Sequence, residues 1–162
     1  MNWKNAQRNR VVEANTYHVQ VAGFRTTKFT TGNDGAIFDY IIIGPEGNEE
    51  VGAKISDFFT FTKNAEWRIG WFVSTCGIMT TDLPDMEYGS EDFGRILNLC
   101  KGRKLFVTVI KEDYQGSMRN KVTDYQPDDS MEPIEEIQEV PEFIKKKASF
   151  PTNKMRRPSQ EG

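Results

Sequence analysis

Residues 64–78, Asn-Ala-Glu-Trp-Arg-Ile-Gly-Trp-Phe-Val-Ser-Thr-Cys-Gly-Ile, restrict the possible folds more than any other stretch of the chain. Ala65, Ile69, Phe72 and Cys76 recur at spacings of four, three and four, so they share one stripe of an α-helix. Asn64 is placed as its N-cap and Gly77 as the residue just past its end, which predicts a helix of about three turns. Trp67 and Trp71 also lie four apart, on the face opposite that stripe. A helix apolar on two faces has to be covered on two sides, so this one belongs inside a fold.

What flanks it is patterned for strands. Tyr17, Val19 and Val21 alternate with His18 and Gln20; Gly23 interrupts as a bulge would, and residues 24–29 continue the strand past that kink. The cluster Thr31-Gly32-Asn33-Asp34-Gly35 predicts a tight hairpin on Asp34-Gly35. A second strand runs over 36–43, ended by Gly44-Pro45-Glu46-Gly47-Asn48, and a third over 51–61. In the third, Val51, Ala53, Ile55, Phe59 and Phe61 form one face that Asp57 spoils, while Lys54 and Phe58 share the other. Past the helix, an acidic loop leads to a second short helix over 92–100, with Phe93, Ile96, Leu97 and Cys100 on one side. That helix is placed to cover the Trp67 and Trp71 face. The fourth strand is expected over 104–111 and the fifth over 118–125, ended by Pro127.

Three antiparallel strands, a helix, then two strands is the order of an OB-fold, a five-stranded Greek-key barrel plugged by its helix between strands three and four. A bulge in strand one suits that barrel, because the strand takes part in both of its sheets. A β-sandwich would want about seven strands, and an α+β sheet with the helix on one face is the other arrangement this order allows. The expected fold is all-β with one plugging helix, an OB-fold over residues 16–127 between a flexible arm at 1–15 and a flexible tail at 128–162.

Charge sets the tail apart. Gln126 to Phe143 holds seven acidic residues and no Lys or Arg, whereas Ile144 to Gly162 holds six basic residues and one acidic one. The first 125 residues then carry 15 basic and 16 acidic groups, close to neutral, so the folded part has no strong field of its own. No apolar run is long enough to span a bilayer and the first residues lack a signal-peptide core; a soluble, cytoplasmic protein is expected.

Catalytic patterns are missing from the sequence. His18 is the only histidine, which removes His-based triads and multi-histidine metal sites; on an alternating strand it reads as a solvent-facing polar residue. There is no phosphate-binding Gly-x-x-x-x-Gly-Lys loop and no Cys-x-x-Cys, and Cys76 reads as a buried thiol. Pro84-Asp85 and Pro127-Asp128 lack the acidic-x-Lys strand that a nuclease signature needs. The expectation is a binding protein, not an enzyme, with no cofactor and no metal.

A groove for single-stranded nucleic acid needs rings for base stacking and cations for the backbone. In an OB-fold it is built from strands two and three and the loops one–two and four–five. Phe38 and Tyr40 on strand two, and Lys54 and Phe58 on strand three, are the candidates on the strands. Arg25, Lys28 and Phe29 come from the first loop, and Lys111, Tyr114, Arg119 and Lys121 from the other. Taken singly, Phe38 or Phe58 is as readily a core residue and Lys54 a solvated edge charge; taken as a set, they favour binding.

The runs Tyr17-His-Val-Gln-Val, Thr26-Thr-Lys-Phe-Thr-Thr-Gly-Asn, Ala65-Glu-Trp-Arg-Ile and Gly77-Ile bear on the same question. So do Leu99-Cys-Lys-Gly-Arg-Lys-Leu-Phe-Val-Thr-Val and Arg119-Asn-Lys-Val-Thr-Asp-Tyr-Gln-Pro. Together they resemble a family of small phage and prophage proteins found with replication or recombination genes. The resemblance covers residues 17–127 and implies an OB-fold that binds single-stranded DNA. Its motifs are mostly structural, so it implies the fold more than individual DNA contacts. One departure stands out: bacterial single-stranded DNA-binding proteins commonly end in an acidic tip, whereas here the acid is internal and the last 19 residues are basic. The alternative is an OB-like adaptor for a recombinase, replication or virion protein; phage or host replication and recombination proteins are also candidate partners for the C-terminal tail. Because the acidic block follows strand five, it is also placed to compete with nucleic acid for the groove, or else to serve as a linker. A homo-oligomer is compatible with both readings.

Overall fold

In the computed structural model, which describes residues 11–134, alternating β-branched and aromatic residues put five strands into one antiparallel sheet. These are β1 (Asn15–Lys28), β2 (Asp34–Gly44), β3 (Lys54–Thr60), β4 (Lys104–Tyr114) and β5 (Ser117–Pro127). Two short helices, α1 (Glu66–Thr75) and α2 (Glu91–Leu99), lie between β3 and β4. The strand order is β3-β2-β1-β4-β5, so the first strand in sequence is the centre of the sheet. β1 pairs with β2 from His18 to Lys28 and with β4 from Asn15 to Gln20. Its register slips between Val21 and Gly23, leaving Ala22 as the extra residue of a bulge where the strand parts from β4 and continues with β2 alone.

The hairpin between β1 and β2 turns earlier than Asp34-Gly35. Phe29 and Asn33 close the turn through the Phe29 N–H, and Gly32 takes the left-handed φ of +93°. Asp34 and Gly35 are already paired strand, opposite Lys28 and Thr27. Gly35 is there for space: a Cβ would run into the Phe29 ring and the Phe59 carbonyl.

A helix of ten residues is marginal alone, so α1 depends on what it buries: Ile69, Phe72 and Val73, followed by Cys76 just past its end. Asn64 is not its cap. A single 3₁₀ turn over Lys63–Ala65 precedes the helix, and no side chain caps it. Gly77, at φ +105°, does turn the chain out of the helix. Phe72 packs edge-on to Phe38 at 4.7 Å and against Phe59 at 5.3 Å, tying α1 to β2 and β3. Helix α2, capped by the Ser90 hydroxyl accepting from the Phe93 N–H, puts Ile96 and Leu97 into the core. Its Phe93 and Ile96 face Ile69, Gly70 and Val73 across a shared pocket, on the side away from the tryptophans, and Trp67 stays 65% exposed.

The edges of the sheet, β3 and β5, are joined through α1. Arg68 donates from Nη1 to the Phe58 carbonyl at 2.9 Å and from Nη2 to the Val122 carbonyl at 3.1 Å. The same Nη2 pairs with Asp57 Oδ1 at 2.8 Å. Asp57 sits among core residues, and its other oxygen accepts from the hydroxyls of Tyr40, at 2.7 Å, and Tyr125. Burial pushes the Asp57 carboxyl upward; the Arg68 guanidinium and the two phenols oppose that push. Burial also raises both phenols well above their ordinary range, so they remain donors.

The folded region extends past both expected boundaries. Asn120 holds Val12 with two hydrogen bonds, accepting from its N–H at 2.8 Å and donating to its carbonyl at 2.9 Å, and Val12 is buried. Beyond β5, Asp128 bonds His18 Nε2 at 2.6 Å and caps Ser130, Arg103 donates to the Glu132 carbonyl, and the Ile134 N–H reaches Gly77. His18 is thus not a free surface residue: it is half-buried, stacked on Phe106 at 4.5 Å. The arm over 1–10 and the tail over 135–162 lie outside the described residues.

Removing one partner of the buried pair leaves the other uncompensated. Asp57→Ala is expected to lower the unfolding free energy by about 3–5 kcal/mol, and Asp57→Leu combined with Arg68→Met to recover most of that loss. Urea unfolding followed by circular dichroism measures both; a double variant as unstable as the single one would refute the account. Asp128 gives a pH prediction. Ser130, first by its hydroxyl and then by its N–H, and after it His18, hold this carboxyl at about 2. A carboxyl lowered on folding contributes stability above its unfolded value of about 3.9 and loses it as pH falls toward 2. Asp128→Asn should flatten the stability profile across that window, read by urea unfolding at stepped pH.

Candidate functional site

A groove of about 630 Å³ runs along the seam between β3 and β5. β3 lines it with Lys54, Ser56 and Phe58, β5 with Met118, Arg119 and Lys121, and β1 with Arg25. Arg68 lies at the seam, where its guanidinium also closes the sheet. Five cations therefore meet two acids here, Asp57 and Glu112, and both acids are engaged: Asp57 with Arg68, Glu112 with Arg119 Nε at 2.7 Å. Arg25 pairs with Asp39 at 2.9 Å beside the groove. Lys54 and Lys121 make no ion pair among the described residues. A chain near neutral overall thus concentrates positive charge in one concave place.

Phe58 supplies an aromatic surface. It is 52% exposed, costly for a ring of that size unless something covers it, and it stacks with Phe29 at 6.1 Å and 15°. Arg119 lies over the Tyr114 ring at 3.7 Å, which fixes the guanidinium at the tip of the β4–β5 hairpin. Of the residues expected from the sequence, Arg25, Lys54, Phe58, Arg119 and Lys121 line the groove. Phe29 and Tyr114 adjoin it through these stacks. Lys28 and Lys111 lie outside its lining and pair with Asp34 at 3.1 Å and Glu13 at 2.9 Å.

Phe38 and Tyr40 are corrected: both point into the core, 2% and 0% exposed. β2 presents the opposite parity outward. Ile37 lies between Phe58 and Arg25 across the sheet, Asp39 between Ser56 and Gly23, and Ile41 between Lys54 and Gln20. Phe38 faces inward because Phe24, Phe59 and Phe72 surround its ring, and Tyr40 because its hydroxyl serves Asp57. Arg68 was not expected in the site. Its signal was indirect: an acid spoiling the core face of β3 implies a buried cation, and Arg68 is the charged residue on the flank of the helix stripe.

The acidic block does not start at the groove. β5 runs away from Lys121, and Pro127 lies six residues on, about 20 Å at strand rise. Asp128 is then held by His18 and Ser130 at that remote end. Proximity therefore gives no ground for competition by Asp128. No protein-family model and no curated protein matches the chain.

The two parities of the sheet predict opposite responses. Phe38→Ala should cost about 3–5 kcal/mol of stability, as deletion of a buried ring does. Phe58→Ala should stay within about 0.5 kcal/mol of the parent. Thermal melts of the two variants side by side test the assignment.

Proposed function

We propose that this protein binds single-stranded DNA without strong sequence preference, in the groove between β3 and β5 of an OB-type barrel. The observation that carries the reading is the groove itself, where Lys54, Lys121, Arg25, Arg119 and Arg68 surround the exposed Phe58 ring. Phosphates need the cations, and a base needs a ring whose face is open. A duplex offers no free base face, so the same groove favours single strands. The barrel assignment is supported by the strand order, the bulge that frees β1 from β4, the helix between β3 and β4, and the approach of β3 to β5 at Arg68. The resemblance in sequence to phage proteins found with replication or recombination genes supports a role in those processes, with no catalytic step.

An adaptor function is the second reading. Ile110, Tyr114 and Met118 are exposed on the β4–β5 hairpin, and apolar side chains on a projecting hairpin suit a protein partner. Here too the partner would be a replication, recombination or virion protein.

Fluorescence anisotropy with a labelled oligonucleotide separates the two. Single strands should bind more tightly than duplex, and affinity should fall as salt rises. Lys54→Ala and Lys121→Ala should each weaken binding and reduce the slope against log salt by about 0.7. Equal affinity for single strand and duplex, or none for either, would remove the DNA-binding reading and leave the adaptor.

A further inference from the structure

Helix α1 carries a second aromatic surface that the fold does not consume. Trp67 is 65% exposed and stacks on Trp71 at 6.1 Å and 22°. Trp71 is half-buried, seated edge-on against Tyr125 at 4.9 Å and 88°. The pair is therefore a rigid ledge: its base is locked to β5 and its outer ring is open. Its position follows from the helix. Trp67 precedes Arg68 directly, and Trp71 lies less than a turn beyond, on the Arg68 side of the buried stripe. Arg68 lines the groove, and its guanidinium lies 5.6 Å from the Tyr125 ring that supports Trp71. On the far side of α1, helix α2 and the loop before it occupy the surface instead.

We infer that Trp67, backed by Trp71, is a second base-stacking position, taking a nucleotide of the same single strand after it leaves the β3–β5 groove across Arg68. This rests on the groove reading above. Charge bears on the occupant: Arg68, paired with Asp57, shares the Tyr125 ring with Trp71, and the exposed Lys63 lies one turn before Trp67, while Glu66 between them accepts from the Tyr88 hydroxyl. A strand held by Lys54, Lys121 and Arg68 meets, next along its path, an open indole with Lys63 one turn before it. Stacking on an open ring is sequence-tolerant, because every base has a π face. Two rings, Phe58 and Trp67, would thus mark the path on either side of the seam that Arg68 closes.

The three tryptophans of the chain, Trp3, Trp67 and Trp71, make the test direct. In a Trp3→Phe, Trp71→Phe background Trp67 is the sole indole, and its emission is followed while an unlabelled oligothymidylate is added. Anisotropy of a labelled oligonucleotide reports binding separately. Quenching of Trp67 in step with binding is expected. In the parent chain, Trp67→Ala should lower affinity about five- to hundred-fold for long oligonucleotides and leave short ones confined to the groove unaffected, with an unchanged melting temperature. If oligonucleotides bind yet Trp67 emission and the affinity of the Trp67→Ala protein stay unchanged, the stacking position is wrong and the groove reading stands. An equal loss for short and long strands would also overturn a separate position. Absence of all binding in the parent chain removes both.

Discussion

The buried pair of Asp57 and Arg68 is the contact on which the rest of the structure depends. A carboxylate among core side chains is costly unless every lone pair is engaged, and here a guanidinium and two phenols engage it. The arginine in turn satisfies a carbonyl on each of two strands that do not otherwise pair. One side chain thereby sets the distance between the sheet edges, holds α1 in place and puts a positive charge at the groove. Fold and candidate site share a residue, so the shape of the groove and part of its charge have the same origin.

The aromatic residues divide by whether the core needs them. Phe38, Phe59, Phe72 and Tyr125 meet at ring distances between 4.7 and 6.4 Å and fill the space between sheet and helix. Phe58 and Trp67 stay open, one on the outer face of β3 and one on the outer side of α1. Rings with nothing to pack against inside a small domain are costly to leave in water, and a stacking ligand would relieve that cost.

The ends of the domain are tied by contacts far apart in sequence. Val12 and Asn120 are 108 residues apart, and His18 and Asp128 are 110 apart. Each uses a polar side chain that local patterning places on the surface. The first ties the lead-in to β1 onto β5; the second fastens the chain after β5 to β1, away from the Lys121 end of β5. The acidic block thus begins away from the cations it was expected to meet.

Local periodicity alone determined the order of strands and helices, the bulge near Gly23, the buried stripe of α1 and the shared face of Lys54 and Phe58. Each of these depends on residues within a few positions of one another, where the pitch of a helix or the pleat of a strand decides which side a residue takes. Five of the groove residues were in the candidate set on sequence grounds as well: Lys54 and Phe58 from their shared face of β3, and Arg25, Arg119 and Lys121 from their places beside the loops one–two and four–five. Only the tertiary structure decided the parity of β2, where both faces are rich in apolar residues and Asp39 alone marks one of them as polar: Phe38 and Tyr40 alternate as Ile37 and Ile41 do, and a shift of one residue exchanges them. What broke the tie was the Tyr40 hydroxyl reaching Asp57, seventeen positions away, and the Phe72 ring descending from α1. The role of Arg68, the exposure of Trp67 and the anchoring of His18 were decided the same way. A partner distant in the chain leaves no period in the sequence, only an isolated residue that breaks one.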